Sequence, residues 1–246
     1  MRSSSMTGGY ARHATIHAMD DLLVCHLGRV EYREATELQE RLRERRRRDA
    51  IGDVLLLLEH PPVYTRGRRT REGELPMGAA WYAAQGIDVV DTPRGGRVTY
   101  HGPGQLVGYA IMRTDDVVEH VRSMERAIVT ALAEHGVASH ARIDDGPDFT
   151  GAWAGERKIA SIGVHVSHGV TAHGFAVNVD NDLQPFEWVV PCGLQAQMTS
   201  VCRELREAPN LPCFRKRMAY AFTQEHGRRQ RLVALERLLA HAPSIA

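Results

Sequence analysis

The chain has 246 residues, with 31 Lys and Arg against 30 Asp and Glu and a formal net charge of +1. That balance argues against nucleic-acid or membrane binding, and no apolar stretch approaches the length needed to span a bilayer. Four cysteines, Cys25, Cys192, Cys202 and Cys213, include no pair spaced two to four residues apart. They exclude a disulfide framework and a C-x-x-C zinc site, and are expected to be reduced thiols in a cytoplasm.

The first seventeen residues carry Arg and Ser but no apolar signal-peptide core. Residues 1–18 are therefore expected to be an extension, 19–241 a single domain and 242–246 a tail. Tyr32 to Arg48 predicts a helix, with Leu38 and Leu42 one turn apart and an arginine-coated outer face. Asp53 to Glu59 follows as a strand whose near-continuous leucine run implies cover on both faces. His60-Pro61-Pro62 ends it, since proline cannot donate to a ladder.

Trp81 to Gln85 predicts a short helix closed by Gly86, and Ile87 to Val90 a further strand. A strand is expected over Leu106 to Met112. Asp115 or Asp116 then caps a helix with the apolar stripe Val117, Val118, Val121, Met124, Ile128 and Leu132, stopped by Gly136. Ile159 to Val166 and Gly174 to Val179 are two strands joined by a turn around Ser167-His168-Gly169, and Leu211 to Ala240 reads as two helices. The mixed order with adjacent hairpins predicts an α+β fold, a sheet with helices packed on it. His165, His168 and His173 fall around the predicted turn without a carboxylate or thiol nearby, so no metal is expected there.

Among the basic residues only Lys158 and Lys216 are lysine; all others are arginine. Where charge alone suffices this chain uses guanidinium, so a retained amine suggests a task that needs a proton to be lost or a neighbour's ionisation to be tuned. Lys216 lies in a basic helical stretch and reads as a surface residue. Lys158 opens Lys158-Ile159-Ala160-Ser161-Ile162-Gly163, and Cys192 sits 34 positions on in Pro191-Cys192-Gly193. A titratable amine, a Gly/Ser-bearing strand and a thiol in a Pro-Cys-Gly turn are the parts of a thiol-based acyl-transfer site. The alternative is a surface lysine. Cys25, Cys202 and Cys213 read as small buried hydrophobes.

The segment Arg94 to Gln105 holds four glycines and a proline, which let the backbone approach a ligand closely. It is neither a dinucleotide fingerprint, because no helix opens behind Gly102-Pro103-Gly104, nor a P-loop, because neither lysine follows a glycine. A tight hairpin whose glycines only satisfy turn geometry is the competing reading.

Arg94-Gly95-Gly96 followed by Thr99-Tyr100-His101-Gly102-Pro103-Gly104-Gln105 resembles the signature of the lipoyl(octanoyl) transferase family. So do Glu59-His60-Pro61-Pro62-Val63-Tyr64-Thr65, Lys158-Ile159-Ala160-Ser161-Ile162-Gly163, His173-Gly174-Phe175-Ala176-Val177-Asn178 and Pro191-Cys192-Gly193. The motifs appear in family order over roughly residues 20 to 230; Arg66 departs from the small or apolar residue common there.

The resemblance implies transfer of an octanoyl group from octanoyl-acyl carrier protein to the lysine of lipoyl domains. Acceptors would be 2-oxoacid dehydrogenase acyltransferase subunits and the glycine-cleavage H protein. It implies Cys192 as the acyl-accepting nucleophile and Lys158 as the residue that lowers its pKa, with no cofactor and no metal. Substrate would meet Arg94, Gly95, Gly96, Arg97, Val98, Thr99, Tyr100 and His101, then Ser161, Ile162 and Gly163, then Gly174, Phe175 and Ala176. The fold implied is a mixed, largely antiparallel sheet flanked by helices, as in the biotin/lipoate–protein ligase catalytic domain, in a monomer.

Two rivals remain at this point: an ATP-dependent lipoate–protein ligase on the same scaffold, and a non-catalytic binding module. The arginine groups 41–48 and 66–71 invite docking of acidic partners, against ordinary solvated faces.

Overall fold

The computed structural model describes residues 21–142, 145–189, 197–207 and 210–240. The extension and tail expected at the two ends lie outside these residues. The described chain begins with β1 (Asp21–Arg29), α1 (Tyr32–Arg47), β2 (Val54–Glu59), β3 (Val63–Arg66), α2 (Ala79–Ala84) and β4 (Asp88–Asp91). It continues through β5 (Val98–His101), β6 (Gln105–Ile111), α3 (Val117–Glu134), β7 (His140–Ala141), β8 (Gly151–Ala154), β9 (Arg157–Ser167) and β10 (Val170–Asn178). A 3-10 turn (Gln184–Trp188), α4 (Val201–Leu205), α5 (Leu211–Glu225), β11 (Arg229–Leu232) and α6 (Leu235–Leu239) complete it.

Among the described residues eight strands form one sheet in the order β11-β1-β2-β6-β10-β9-β8-β7, and β4-β3-β5 form a second, smaller one. β1 pairs parallel with β2 and β11, while β2 with β6, β6 with β10 and β10 with β9 are antiparallel. The run of leucines in β2 is explained by its central place. Leu55 and Leu57 enter the core under α3 and α5, whereas Val54, Leu56 and Leu58 enter the core under α1. A strand covered on both faces has no polar positions to alternate with.

α3 begins where Asp116 accepts from the Val118 and Glu119 amides at 2.9 and 3.0 Å. Its buried stripe is narrower than the sequence suggests. Met124, Ile128 and Leu132 are in the core, but Val117 and Val118 are 41% and 59% exposed. The β9–β10 hairpin turns on His168 and Gly169, both at positive φ as its tight turn requires.

Three predicted features change. His60-Pro61-Pro62 does end β2, yet Val63–Arg66 then begins the small sheet, pairing with β4 and β5. The glycine-rich segment is not a simple hairpin: β5 lies inside it and belongs to the small sheet, while β6 belongs to the large one. Gly102-Pro103-Gly104 therefore carries the chain between sheets. Gly104 adopts φ +83°, and an added Cβ would lie 2.7 Å from the Asp180–Asn181 backbone, so only glycine fits there. Finally, the tail is helix, strand, helix. β11 is polar because it is an edge strand, held to β1 by the ladder and by Arg229 donating to Asp21 at 2.7 Å.

Gly108 of β6 lies opposite Phe175 of β10, whose ring occupies the space a side chain would take: an added Cβ would sit 2.1 Å from the ring. Gly108→Ala is expected to cost about 1–3 kcal/mol of stability through overpacking. A urea titration should show that loss, and adding Phe175→Leu should recover part of it. No recovery would mean that the ring is not the cause.

Candidate functional site

The site is built from missing side chains. Gly174 pairs with Gly163 and Ala176 with Ser161 across β10 and β9, while Tyr109 and Val107 stand beside Gly174 and Ala176 on β6. Alternate residues of a strand share a face, so these four small residues form one bare patch of sheet. Past Ser161, β9 has no β8 partner, and the loop after Arg94 takes that edge: Gly95 donates to the Val164 carbonyl at 2.9 Å. An added Cβ on Gly163 would sit 2.8 Å from the Gly95 carbonyl oxygen, so glycine is required for the approach.

The buried Arg94 guanidinium organises this loop. It donates to the Thr65 carbonyl at 2.7 Å, to Thr65 Oγ1 at 2.6 Å, and to the carbonyls of Gly95 and Arg97 at 2.9 and 2.8 Å. A charged side chain predicted to meet substrate thus also pins its own loop to β3.

Bare patch and loop enclose a cavity of about 350 Å³. The predicted residues 94–99, 101, 161–163 and 174–176 line it, as does Lys158. Tyr100 does not. It alternates with Thr99 and His101 on β5, and its ring faces the small-sheet cluster, 5.5 Å from Tyr64 and from Phe186. Residues not singled out as site positions also line the cavity, among them Tyr32, Tyr109, Val117, Val121 and Asp148. Val117 and Val121 were readable only as part of a helix stripe; the others come from separate elements that carry no shared motif.

His101, Tyr109 and His173 on the cavity wall join a polar network, the polar end of the site. Gln105 donates to the Tyr100 carbonyl and to Asn178 Oδ1 at 3.1 and 2.9 Å, while Asn178 donates to the Thr199 carbonyl at 3.0 Å. That fixes Gln105 Oε1 as the acceptor facing His101 Nδ1 at 2.7 Å, so the His101 proton is assigned to Nδ1. His60 likewise donates from Nδ1 to the Val30 carbonyl and accepts from Tyr109 through Nε2, each at 2.7 Å. Burial, then the neighbouring His60, holds His101 well below the usual histidine range. Burial pushes His60 down to about 4, and burial followed by the charge of Arg94 pushes His173 down to about 3. His173 sits at φ +61°, held by its amide donating to Gln39 at 2.7 Å.

Lys158 is only 6% exposed. Its amide donates to the Gln197 carbonyl and its carbonyl accepts from Thr199, both at 2.9 Å, so β9 is clasped to the segment that follows Cys192 in sequence. Its Nζ donates to the Asp148 carbonyl at 3.3 Å and lies 5.3 Å from the centre of the Trp153 ring. The Asp148 carboxylate is paired with Arg69 at 3.1 Å and Arg97 at 3.5 Å, and Arg97 also meets Glu74 at 2.9 Å.

Cys192 lies outside the described residues. Of the other cysteines, Cys25 is buried as expected, and burial followed by the charge of Glu236 raises its thiol to about 11. Cys202 is only half-buried and Cys213 is exposed, because both fall on outward positions at helix starts, contrary to the buried reading. None of the three lines the cavity. Among the described residues, no three His, Cys, Asp or Glu side chains are grouped as a metal site requires, and no helix is long and apolar enough to cross a membrane.

Residues 31–223 match the family described as the lipoyl protein ligase A/B catalytic domain. The chain is 49% identical over 179 residues to an octanoyltransferase of Solibacter usitatus, covering 71% of this chain and 80% of that one. It is 45% identical over 199 residues to one from Chloroflexus aggregans, covering 78% and 88%. The chain belongs to the octanoyltransferase family.

A bipartite lipoate protein ligase of Thermoplasma acidophilum shares this fold, with TM-score 0.69 over 89% of this chain and 90% of that one at 18% identity. The mixed, largely antiparallel sheet flanked by helices is thus the scaffold expected from the sequence. Arg66, read from the sequence as departing from the family pattern, pairs with Asp91 at 2.7 Å on the small sheet. In the first arginine group Arg43 pairs with Glu40, Arg47 and Arg48 with Glu44, and Arg46 with Asp49 and Asp53, so these arginines are paired by acids of α1 and of the turn after it.

A neutral His60 makes stability depend on pH. Unfolded, it titrates near the ordinary value of about 6.5; folded, near 4. The unfolded chain then binds more protons between those limits, so stability is full above about pH 6.5 and falls as pH drops towards 4. Urea unfolding at about pH 5 and about pH 7.5 should show a wild-type loss about 2 kcal/mol larger than that of His60→Gln. Equal losses would contradict a neutral His60.

Proposed function

We propose that this chain moves an octanoyl group from octanoyl-acyl carrier protein to a lysine of lipoyl domains, through an acyl thioester on Cys192, in a reducing cytoplasm. The observation that supports it most is a buried amine in the wall of a cavity floored by Ser161, Gly163, Gly174 and Ala176, in a member of the octanoyltransferase family.

A free thiol ionises near pH ~8.5, so a neighbouring ammonium is needed to favour thiolate at neutrality. In this reading Lys158 supplies that charge. The Cys192 thiolate adds to the donor's thioester carbonyl; the tetrahedral intermediate collapses, the pantetheine sulfur leaves and Lys158 gives it a proton. One thioester replaces another, so the step is near thermoneutral. The acceptor's lysine amine then adds to the acyl-cysteine carbonyl, neutral Lys158 takes its proton, and the Cys192 sulfur leaves. An amide replaces a thioester, which is downhill without ATP. Backbone amides of the glycine-rich segments are candidate oxyanion donors. Gly95 and Gly104 are not among them, since their amides already bond to Val164 and Glu59.

The slot suits an unbranched apolar chain. At about 0.8 kcal/mol per methylene, burying an eight-carbon tail contributes about 5 kcal/mol of binding. Ala176→Leu places bulk on the bare patch and should lower kcat/KM for octanoyl donors by at least about tenfold, with a smaller loss for butanoyl donors. Equal losses for both chain lengths would remove Ala176 from the acyl slot.

The decisive test is a mass spectrum. Protein mixed with octanoyl-acyl carrier protein should gain one hydroxylamine-labile octanoyl group. Cys192→Ser should gain none, and Lys158→Arg should gain it slowly. An ATP-dependent ligase would instead stay active as Cys192→Ser and consume ATP with free octanoate; the ligase neighbours speak only for the fold.

A further inference from the structure

Glu125 is 2% exposed, in the middle of α3. It has no part in the steps above, and a carboxylate is costly to bury without compensation. Its position is specific. Val117 and Val121, eight and four residues earlier, line the cavity, so Glu125 continues their helical stripe one turn further in. There its Oε1 accepts from the Gly151 amide at 2.9 Å. Gly151 in turn lies against the Lys158 stem, where an added Cβ would sit 3.2 Å from Cε. Carboxylate and lysine thus flank one glycine from two elements, α3 and β9.

We infer that Glu125 is a positioning residue for Lys158: its buried carboxylate is the counter-charge that keeps the lysine protonated inside the cavity wall. The inference rests on the transferase reading, in which that ammonium supports the Cys192 thiolate. Burial alone favours the neutral amine, and an anion on the far side of Gly151 opposes it. Other charged groups near this pair, among the described residues, have partners or face outward. Arg122 and Arg126 are exposed, and Arg126 is paired outward with Glu119 and Glu225 at 2.5 and 2.7 Å. The Asp148 carboxylate is paired with Arg69 and Arg97. Burial raises the Glu125 carboxyl above its ordinary range, while the Gly151 amide and the charges of Lys158, Arg122 and Arg126 pull it back.

The sign of the effect is definite. In the transferase reading Cys192 and Lys158 lose two protons in two coupled steps, and an anion beside Lys158 raises both macroscopic values. Glu125→Gln keeps an acceptor for Gly151 and removes the charge. Both limbs of the pH profile of kcat/KM should therefore move to lower pH by about one unit. Iodoacetamide labelling of Cys192, followed at the peptide level against pH, should show its rise displaced the same way. A merely structural role would lower rates without moving either limb. Profiles that superpose, or that move to higher pH, overturn the inference. If the wild type forms no octanoyl adduct on Cys192, the transferase reading fails, yet the labelling profile still decides the role of Glu125.

Should Glu125→Gln not fold, the two lysines can be resolved by 13C NMR in Cys192→Ser protein, where no thiolate contributes. Lys158 titrating at or above the ordinary value of about 10.4 despite burial is the expected result. Titration a unit or more lower overturns the inference.

Discussion

The cavity depends on how β9 is shared. Up to Ser161 its outer edge pairs with β8; beyond it, the edge is taken by Gly95, whose amide reaches Val164. A backbone hydrogen bond draws a loop from the small sheet onto the large one. Glycine at 163 lets that loop close, because a side chain there would strike the Gly95 carbonyl. The same absence of side chains, continued across β10 at Gly174 and Ala176, leaves room for a ligand. Closure of the loop and emptiness of the floor therefore share one physical cause.

Around that space the charges are unevenly distributed. His60 and His101 are kept neutral by burial, with their protons placed by a backbone carbonyl and an amide oxygen. The cations are held in place: Arg94 by Thr65 and its own loop, Arg97 by Glu74 and Asp148. Lys158 is also buried in this frame, with backbone contacts to the chain following Cys192 and a carbonyl contact through Asp148. An amine in such a setting is surrounded by fixed neighbours rather than by water, so its ionisation is governed by the fold.

The scaffold itself is shared with lipoate ligases at low identity, and a fold common to different activities does not select among them. Under the proposed mechanism, what separates transfer from ATP-dependent activation is local chemistry: a titratable amine beside the cavity and a thiol in the chain that follows. The glycine-rich segment is consistent with either activity, since its residues shape a pocket and brace a loop.

The leucine run of β2, the extent of α1, the cap and stop of α3, and the β9–β10 hairpin were legible from residues alone, because propensity and periodicity act locally. So were the family motifs and the oddity of Lys158 among arginines. β5 hidden inside a glycine-rich stretch, β11 with its polar edge sequence and the outward turn of Tyr100 were not. Each is set by which strand it meets, information carried by distant residues. The same holds for Tyr32, Tyr109, Asp148 and Glu125, which lack any common motif and are gathered only by folding. The sequence by itself determined which chemistry is present. Only the tertiary structure decided which groups share a cavity wall, because hydrogen-bond register and burial are properties of pairs of segments, not of either one.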